Sequence, residues 1–279
     1  MPYSLQYEIS ALLVLIVIIS LFYIKRTLPS YANRTFSMLA ITLFVSIFLN
    51  LLKHIFLTFF PVSRLFIVCF YAMYLITKSI IPLALLLYIA ALTNTLDALY
   101  RSRLRFLLLI PLAVNTFLIG FSVWYPLVFT INENMKLIRT AYFIIVYALM
   151  FSYIAAGLII LTKKRMDIPR NSFYIIYYLS GISAASAILQ YFFPNISIHS
   201  LILALNLIIL SLTVQKSEDT CDAITGLYNQ TAFETMNYRR FVSGEKFYML
   251  SLVFDDLPFL TSTLGIRHIH EIMKQASSF

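Results

Sequence analysis

The stretch ISALLVLIVIISLFYI, from Ile9 to Ile24, is sixteen residues long and uncharged, and Lys25 and Arg26 follow it directly. No Lys or Arg precedes it, which is the reverse of a secretory signal peptide, so it predicts an uncleaved first transmembrane helix. The whole chain of 279 residues is similar: 61% of its residues are hydrophobic and 12% are charged, whereas a soluble domain carries about 25% charge. A lipid bilayer must therefore be the solvent for most of the chain.

Seven apolar stretches are candidates to cross a hydrocarbon core of ~30 Å, which takes about 20 helical residues. The last of them is the shortest. We therefore predict an all-α membrane protein built as a seven-helix transmembrane bundle. The expected spans are approximately Ser4 to Tyr23, Thr35 to Phe59, Leu65 to Leu92, Phe106 to Trp124, Ala141 to Leu161, Phe173 to Phe193 and Ser200 to Val214.

The Lys and Arg content of the connections predicts the orientation, because basic residues are enriched in cytoplasmic loops. One side of the predicted bundle has four such residues, namely Lys53, Arg64, Lys136 and Arg139. The other side has ten: Lys25, Arg26, Arg34, Arg101, Arg103, Arg105, Lys163, Lys164, Arg165 and Arg170. This asymmetry predicts a multi-pass protein of the bacterial inner membrane with its N-terminus outside and its C-terminus in the cytoplasm.

The formal charge of +9 is unevenly distributed. Residues 1–214 hold 15 Lys and Arg against 4 Asp and Glu, whereas residues 215–279 hold 6 against 8. The basic excess belongs to the membrane part, so we expect no nucleic-acid partner. Composition changes abruptly after Val214, which predicts a membrane domain over 1–214, a short linker over 215–221 and a cytoplasmic segment over 222–279.

The most specific local motif is Asp222-Ala-Ile-Thr225-Gly226-Leu227-Tyr228-Asn229, with Phe233 four residues further on. As physical chemistry it is a polar turn in which Gly226 permits unusual backbone angles, Asn229 caps a helix and Phe233 anchors that helix. The motif resembles the D-x-L-T-G-L-x-N opening of the GGDEF, or diguanylate cyclase, domain family. The resemblance implies that residues 222–279 are the N-terminal part of an incomplete α/β, GGDEF-like domain. The downstream pattern predicts a helix around Gln230 to Phe241, a β-like run from Phe247 to Phe254 and a helix from about Pro258 to Ala276.

The resemblance also identifies degenerate active-site positions. In the family the first strand ends in D-x-D-x-F-K-x-x-N-D, whose leading Asp helps to hold Mg²⁺ and whose Asn binds guanine. Val253 stands at the leading Asp and provides no oxygen for a hard cation. The chain ends at Phe279, before a Gly-Gly-Asp-Glu-Phe loop, so we expect no cofactor and no catalysis by the chain as given. The other aligned positions are Asp255 at the second Asp, Pro258 at the Lys, Thr261 at the Asn and His270 at a later guanine-binding Asp.

Lys78 lies near the middle of the third predicted span, where a lone charge costs at least ~2.5 kcal/mol. Pro82 has no N–H and leaves the carbonyl of Lys78 unpaired, so a kink and a charge coincide, and Ser79 is placed to repair the backbone. Two interpretations stay open: pairing with a polar group on another span, or an anionic ligand in a cavity. The candidate partners are Asn50, His54, Asn115, Gln190 and Asn206.

We name Lys78, Pro82 and His54 as the candidate ligand-binding residues. Lys53 and His54 both lie within about two turns of the end of their span. We therefore expect their side chains to extend to the lipid headgroups (snorkelling) rather than to bind a ligand. His199 and His268 lack metal-ligand spacing, so no metal site is predicted.

The membrane part is similar to the seven-helix N-terminal sensor regions of bacterial histidine kinases and diguanylate cyclases in span count, orientation, Pro82 and the early Pro111 of the fourth span. This resemblance implies a receptor that passes an extracellular or intramembrane signal, a small molecule or a property of the membrane, to a cytoplasmic output. A homodimer formed through the cytoplasmic segment is a further expectation. One alternative is a transporter or channel that uses Lys78 and Pro82; another is the N-terminal fragment of a longer diguanylate cyclase.

Overall fold

The computed structural model describes residues 3–24, 30–60, 63–101, 104–132, 137–193, 198–214, 222, 229–230, 233–234, 237, 240–241, 246–251, 253 and 255–276. The chain divides into two compact units, Met1–Lys216 and Ser217–Phe279. The boundary predicted after Val214 lies two residues before this division. Thr225, Gly226 and Leu227 of the predicted turn lie outside the described residues.

The first unit is a bundle of α-helices. Five of its described helices are long and apolar enough to cross a membrane, namely α1, α2, α3, α6 and α7, as expected for an all-α membrane protein. Two more, α5 and α8, are apolar but shorter; the 16 residues of α8 span about 24 Å. The helices are α1 Tyr3–Ile24, α2 Tyr31–Phe59, α3 Arg64–Leu92, α4 Leu96–Arg101, α5 Leu104–Phe121, α6 Phe143–Lys163, α7 Arg170–Phe192 and α8 Ile198–Thr213, with a 3₁₀ turn at Arg165–Asp167.

Serine side chains fix the starts of α2 and α3. The hydroxyl of Ser30 accepts a hydrogen bond from the Asn33 N–H at 3.0 Å, and that of Ser63 accepts one from the Phe66 N–H at 3.4 Å. Each bond satisfies a donor that the first helical turn leaves unpaired. Because of the Ser30 cap, α2 begins at Tyr31, four residues before the predicted start of the second span.

The helix α3 lies at the centre of this unit and packs against α2, α5 and α6, while α8 packs against α1 and α7. Gly157 of α6 allows a close approach to α3, because a Cβ there would lie 3.1 Å from Cδ1 of Ile89. The largest hydrophobic cluster includes Phe36, Leu43, Ile81, Tyr88, Leu207 and Leu210.

Tyr153 of α6 braces α5 beside its proline. Its hydroxyl donates to the carbonyl of Leu108 at 2.6 Å and accepts from the N–H of Leu112 at 2.9 Å. These two backbone groups are the ones that an uninterrupted helix would pair with each other, so the phenol bridges an opening in α5 next to Pro111.

A β-hairpin that the sequence did not predict connects α5 to α6. Strands β1, Phe129–Ile131, and β2, Leu137–Arg139, are antiparallel, with Phe129 opposite Arg139. Arg64 donates to the carbonyl of Ile131 at 2.9 Å, and Arg139 donates to the carbonyl of Tyr191 at 2.7 Å. Two residues of the predicted outer side therefore tie the hairpin to the first turn of α3 and the last turn of α7.

The second unit differs in two respects from the predicted elements. Gly265, with φ +79°, divides the region predicted as one helix into α9, Leu257–Leu264, and α10, Ile266–Ala276. Within the predicted β-like run, the described residues 247–251 and 253 do not form a strand. A strand needs a neighbour to satisfy its backbone groups, and Val253 is 85% exposed. The described residues between 230 and 241 are helical, as predicted.

Candidate ligand site in the helix bundle

Lys78 lies in the middle of α3 and is buried, with 6% of its surface exposed. Its ammonium group donates to Oε1 of Gln190 at 2.8 Å and to the hydroxyl of Tyr147 at 3.4 Å. The ammonium nitrogen also lies 5.7 Å and 5.6 Å from the ring centroids of Tyr74 and Tyr147. The lysine is thus held by neutral groups from α3, α6 and α7.

The positive charge of Lys78 has no acidic partner at ion-pair distance in the part of the chain that the structure describes. An ion buried without a counter-charge costs several kcal/mol even after the protein relaxes. Hydrogen bonds to a charged group and cation–π contacts each offset about 1 to 3 kcal/mol of such a cost. The surroundings of Lys78 therefore favour a negatively charged occupant.

A cavity of about 70 Å³ lies next to Lys78, between α2, α3, α6, α7 and α8. Its walls are mainly aliphatic and aromatic. The polar residues that line it are Lys78, Tyr147, Ser183, His199 and Asn206. A mostly apolar cavity with a few convergent polar groups is the usual form of a small-molecule site.

Pro82 lines the same cavity, and α3 remains a continuous helix through it. The hydroxyl of Ser79 donates to the carbonyl of Leu75 at 2.9 Å. The predicted repair of the Lys78 carbonyl by Ser79 is therefore wrong, because Ser79 bonds one turn towards the N-terminus instead.

The last helix of the bundle forms one wall of the cavity. Nδ1 of His199 lies 2.7 Å from the Ser186 hydroxyl, and Asn206 donates to the Ser183 hydroxyl at 2.9 Å. These two bonds join α8 to Ser183 and Ser186, which are one helical turn apart on α7. Two polar side chains of α8 thus lie at the cavity wall and are bonded to α7.

A second buried cluster lies between α1 and α2. The side-chain amide of Asn50 donates to Oε1 of Glu8, and the Lys53 ammonium donates to Oδ1 of Asn50 at 2.5 Å. Nε2 of His54 lies 3.9 Å from the same Glu8 oxygen. Lys53 is only 5% exposed, so the predicted snorkelling is wrong for it: the side chain turns into the bundle.

The two clusters meet at aromatic rings of α3. The ammonium nitrogen of Lys53 lies 4.3 Å from the ring centroid of Tyr71 and 5.2 Å from that of Tyr74, and Tyr74 also faces Lys78. The sequence analysis missed Glu8, which is fully buried. The signal was available, because a carboxylate inside a predicted span marks an inward-facing polar site.

The sequence-predicted residues are thus divided between the two clusters. Lys78 and Pro82 line the cavity, whereas His54 belongs to the Glu8 cluster. Of the candidate partners, Gln190 binds Lys78, and Asn50 binds Glu8 and Lys53. Asn206 lines the cavity without bonding to Lys78, and Asn115 donates to the Val146 carbonyl at 3.2 Å.

In the second unit the structure describes three residues of the family motif, Asp222, Asn229 and Phe233. The carbonyl of Asn229 accepts from the Phe233 N–H at 3.0 Å, as at a helix start, and Asp222 is the other described motif residue. Val253 and Asp255 are exposed.

Of the remaining aligned positions, Pro258 lies in the first turn of α9, where a proline is tolerated because its missing N–H would be unpaired in any case. The Thr261 hydroxyl donates to the Leu257 carbonyl at 2.7 Å. His270 lies in α10. Among the described residues, no three His, Cys, Asp or Glu side chains are placed to hold a metal ion.

No protein-family model, curated protein or solved structure matches this chain. What the fold and the site define is a helical membrane protein with a buried, cationic cavity. Its function is therefore argued from that cavity.

Proposed function

We propose that the chain is a membrane receptor of the bacterial inner membrane that binds a signal in the Lys78 cavity and transmits it to a cytoplasmic C-terminal segment. In this proposal α5 and α8 also cross the membrane, giving seven spans with the N-terminus outside. The C-terminal segment is a GGDEF-like output that is incomplete and without catalytic activity here, and it provides the contact for a homodimer.

The observation that carries the proposal is the composition of the cavity wall. Lys78 stands on the central helix α3, and His199 and Asn206 stand on α8. The helix α8 ends at Thr213, and the second unit begins at Ser217. In this proposal the helix α8 therefore both contacts the occupant of the cavity and leads into the output segment.

The short connection favours a mechanical relay. A flexible tether needs more residues, so a shift or rotation of α8 reaches the output segment with little loss. Shifts of 1 to 2 Å are typical of helices in such two-state transitions. The His199–Ser186 and Asn206–Ser183 hydrogen bonds are the contacts that such a shift would exchange.

A transporter is the second candidate, because a buried cation beside a cavity at the middle of a span also suits a substrate pathway. The two are separated by flux measurements in proteoliposomes that contain wild-type protein or Lys78→Ala. The labelled solutes would be acetate, butyrate, glutamate and phosphate.

The receptor proposal predicts the same uptake of every solute by wild-type, variant and protein-free liposomes. Uptake of any of them by the wild type that is lost in Lys78→Ala would show a transporter and overturn the proposal.

A further inference from the structure

The shape and charge of the cavity at Lys78 define the chemistry of its occupant. The cavity is lined by a lysine whose described partners, Gln190 and Tyr147, are neutral. The remaining walls are dominated by aliphatic and aromatic residues such as Leu43, Ile81 and Leu207. An occupant that suits both has one anionic group and a short apolar body.

The size of the cavity limits that body. Its volume of about 70 Å³ is several times the ~10 to 15 Å³ that a single water needs, so the cavity has room for part of a small organic molecule. A phosphate dianion exceeds the single positive charge of Lys78.

The polar groups that line the cavity determine where the carboxylate binds. The Lys78 ammonium is the strongest donor that lines the cavity, and its bond to a carboxylate gains strength from the low-dielectric surroundings. The polar groups of α8, His199 and Asn206, are already bonded to Ser186 and Ser183 of α7. The anionic head is therefore held from the α3 side, and the apolar body contacts α8.

We propose that this cavity is a binding site for an aliphatic monocarboxylate whose carboxylate pairs with Lys78. The inference rests on the proposed function and extends it by naming the class of ligand that the receptor binds. No covalent step is involved.

The test is equilibrium dialysis of [¹⁴C]butyrate against the full chain in nanodiscs, with butyramide and pentanoate as competitors. We expect saturable binding of one butyrate per chain, competition by pentanoate, and none by butyramide. Lys78→Met removes the charge at similar volume and should weaken binding by about 25-fold or more, the effect of truncating one partner of a buried charge pair. Lys163→Met, the same exchange at an exposed position at the end of α6, should leave binding unchanged.

A second variant protects the test against misfolding of Lys78→Met. Ala187→Leu on α7 places three additional carbon atoms in the cavity and should weaken pentanoate binding more than acetate binding. Equal competition by butyramide and pentanoate, or butyrate binding that survives in both cavity variants, would overturn the inference.

The failure of this inference differs from the failure of the receptor proposal. Butyrate binding together with butyrate uptake into liposomes would retain the ligand class and overturn the receptor. Absence of butyrate binding would overturn the ligand class, while transmission from Lys78 to the C-terminal segment can be measured without any ligand.

Discussion

The ammonium nitrogen of Lys78 lies 2.8 Å from Oε1 of Gln190, and this bond joins the centre of α3 to the last turns of α7. The amide oxygen orients the charge without neutralising it. Lys78 is consequently held in place while it remains available to an anion.

This bond should contribute measurably to stability. Gln190→Leu should lower the free energy of unfolding in detergent by about 1.5 to 3 kcal/mol, the usual contribution of a hydrogen bond to a charged group. In a Lys78→Met background the same substitution should cost much less, with a coupling of at least about 1 kcal/mol in a double-mutant cycle. Additive effects of the two substitutions would show that the bond is unimportant.

The Glu8 cluster leads to a prediction about paired burial. Glu8→Gln removes the carboxylate that Asn50 links to Lys53 and leaves the lysine charge buried, at a cost of about 3 kcal/mol or more. The double variant Glu8→Gln/Lys53→Met removes both charges and should be more stable than Glu8→Gln alone. Denaturant titration of both proteins measures this difference, and a double variant less stable than the single one would contradict the pairing.

Tyr153 should be important through its hydroxyl alone. Tyr153→Phe leaves the Leu112 N–H and the Leu108 carbonyl without their bridge, and we expect a loss of about 1 to 3 kcal/mol in unfolding free energy. Tyr178→Phe, at a side chain that is 64% exposed, is the matched control and should change stability little. Equal effects of the two substitutions would remove the case for a brace beside Pro111.

The contact between α6 and α3 at Gly157 makes a further prediction. Alanine is favoured over glycine inside a helix by about 0.5 to 1 kcal/mol, and Gly181→Ala should show this gain because no atom lies within 4 Å of its added Cβ. Gly157→Ala should lose that gain, since its Cβ meets Ile89 at 3.1 Å. Gly157→Val should be destabilising by about 1 to 3 kcal/mol through overpacking, as thermal unfolding can measure. A gain at Gly157 equal to that at Gly181 would disprove the close contact.

Much of the helical architecture was predictable because the apolar runs are long and uninterrupted. The early start of α2 was not, since it depends on the Ser30 cap rather than on hydropathy. The hairpin was missed because its strands have only three residues each. Its position depends on Arg64 and Arg139, which bind carbonyl groups distant in sequence.

The site was predictable at Lys78 and Pro82, because a charge and a proline inside an apolar span are conspicuous. The partner was not, since sequence does not specify which faces of different helices meet; Gln190 was one of five candidates. Lys53 shows the same limit: its distance from the helix end suggested the lipid headgroups, whereas the inward face of α2 brings it to Asn50.

The most direct test of the central claim is hydrogen exchange, followed by mass spectrometry, on wild-type protein, Lys78→Met and Lys163→Met in nanodiscs. If the cavity is coupled through α8 to the C-terminal segment, removing the Lys78 charge should change amide exchange both in Ile198–Thr213 and in the helices Leu257–Leu264 and Ile266–Ala276. Lys163→Met should leave these regions as in the wild type. A change confined to α3, α6 and α7, with residues 257–276 exchanging as in the wild type, would contradict the receptor.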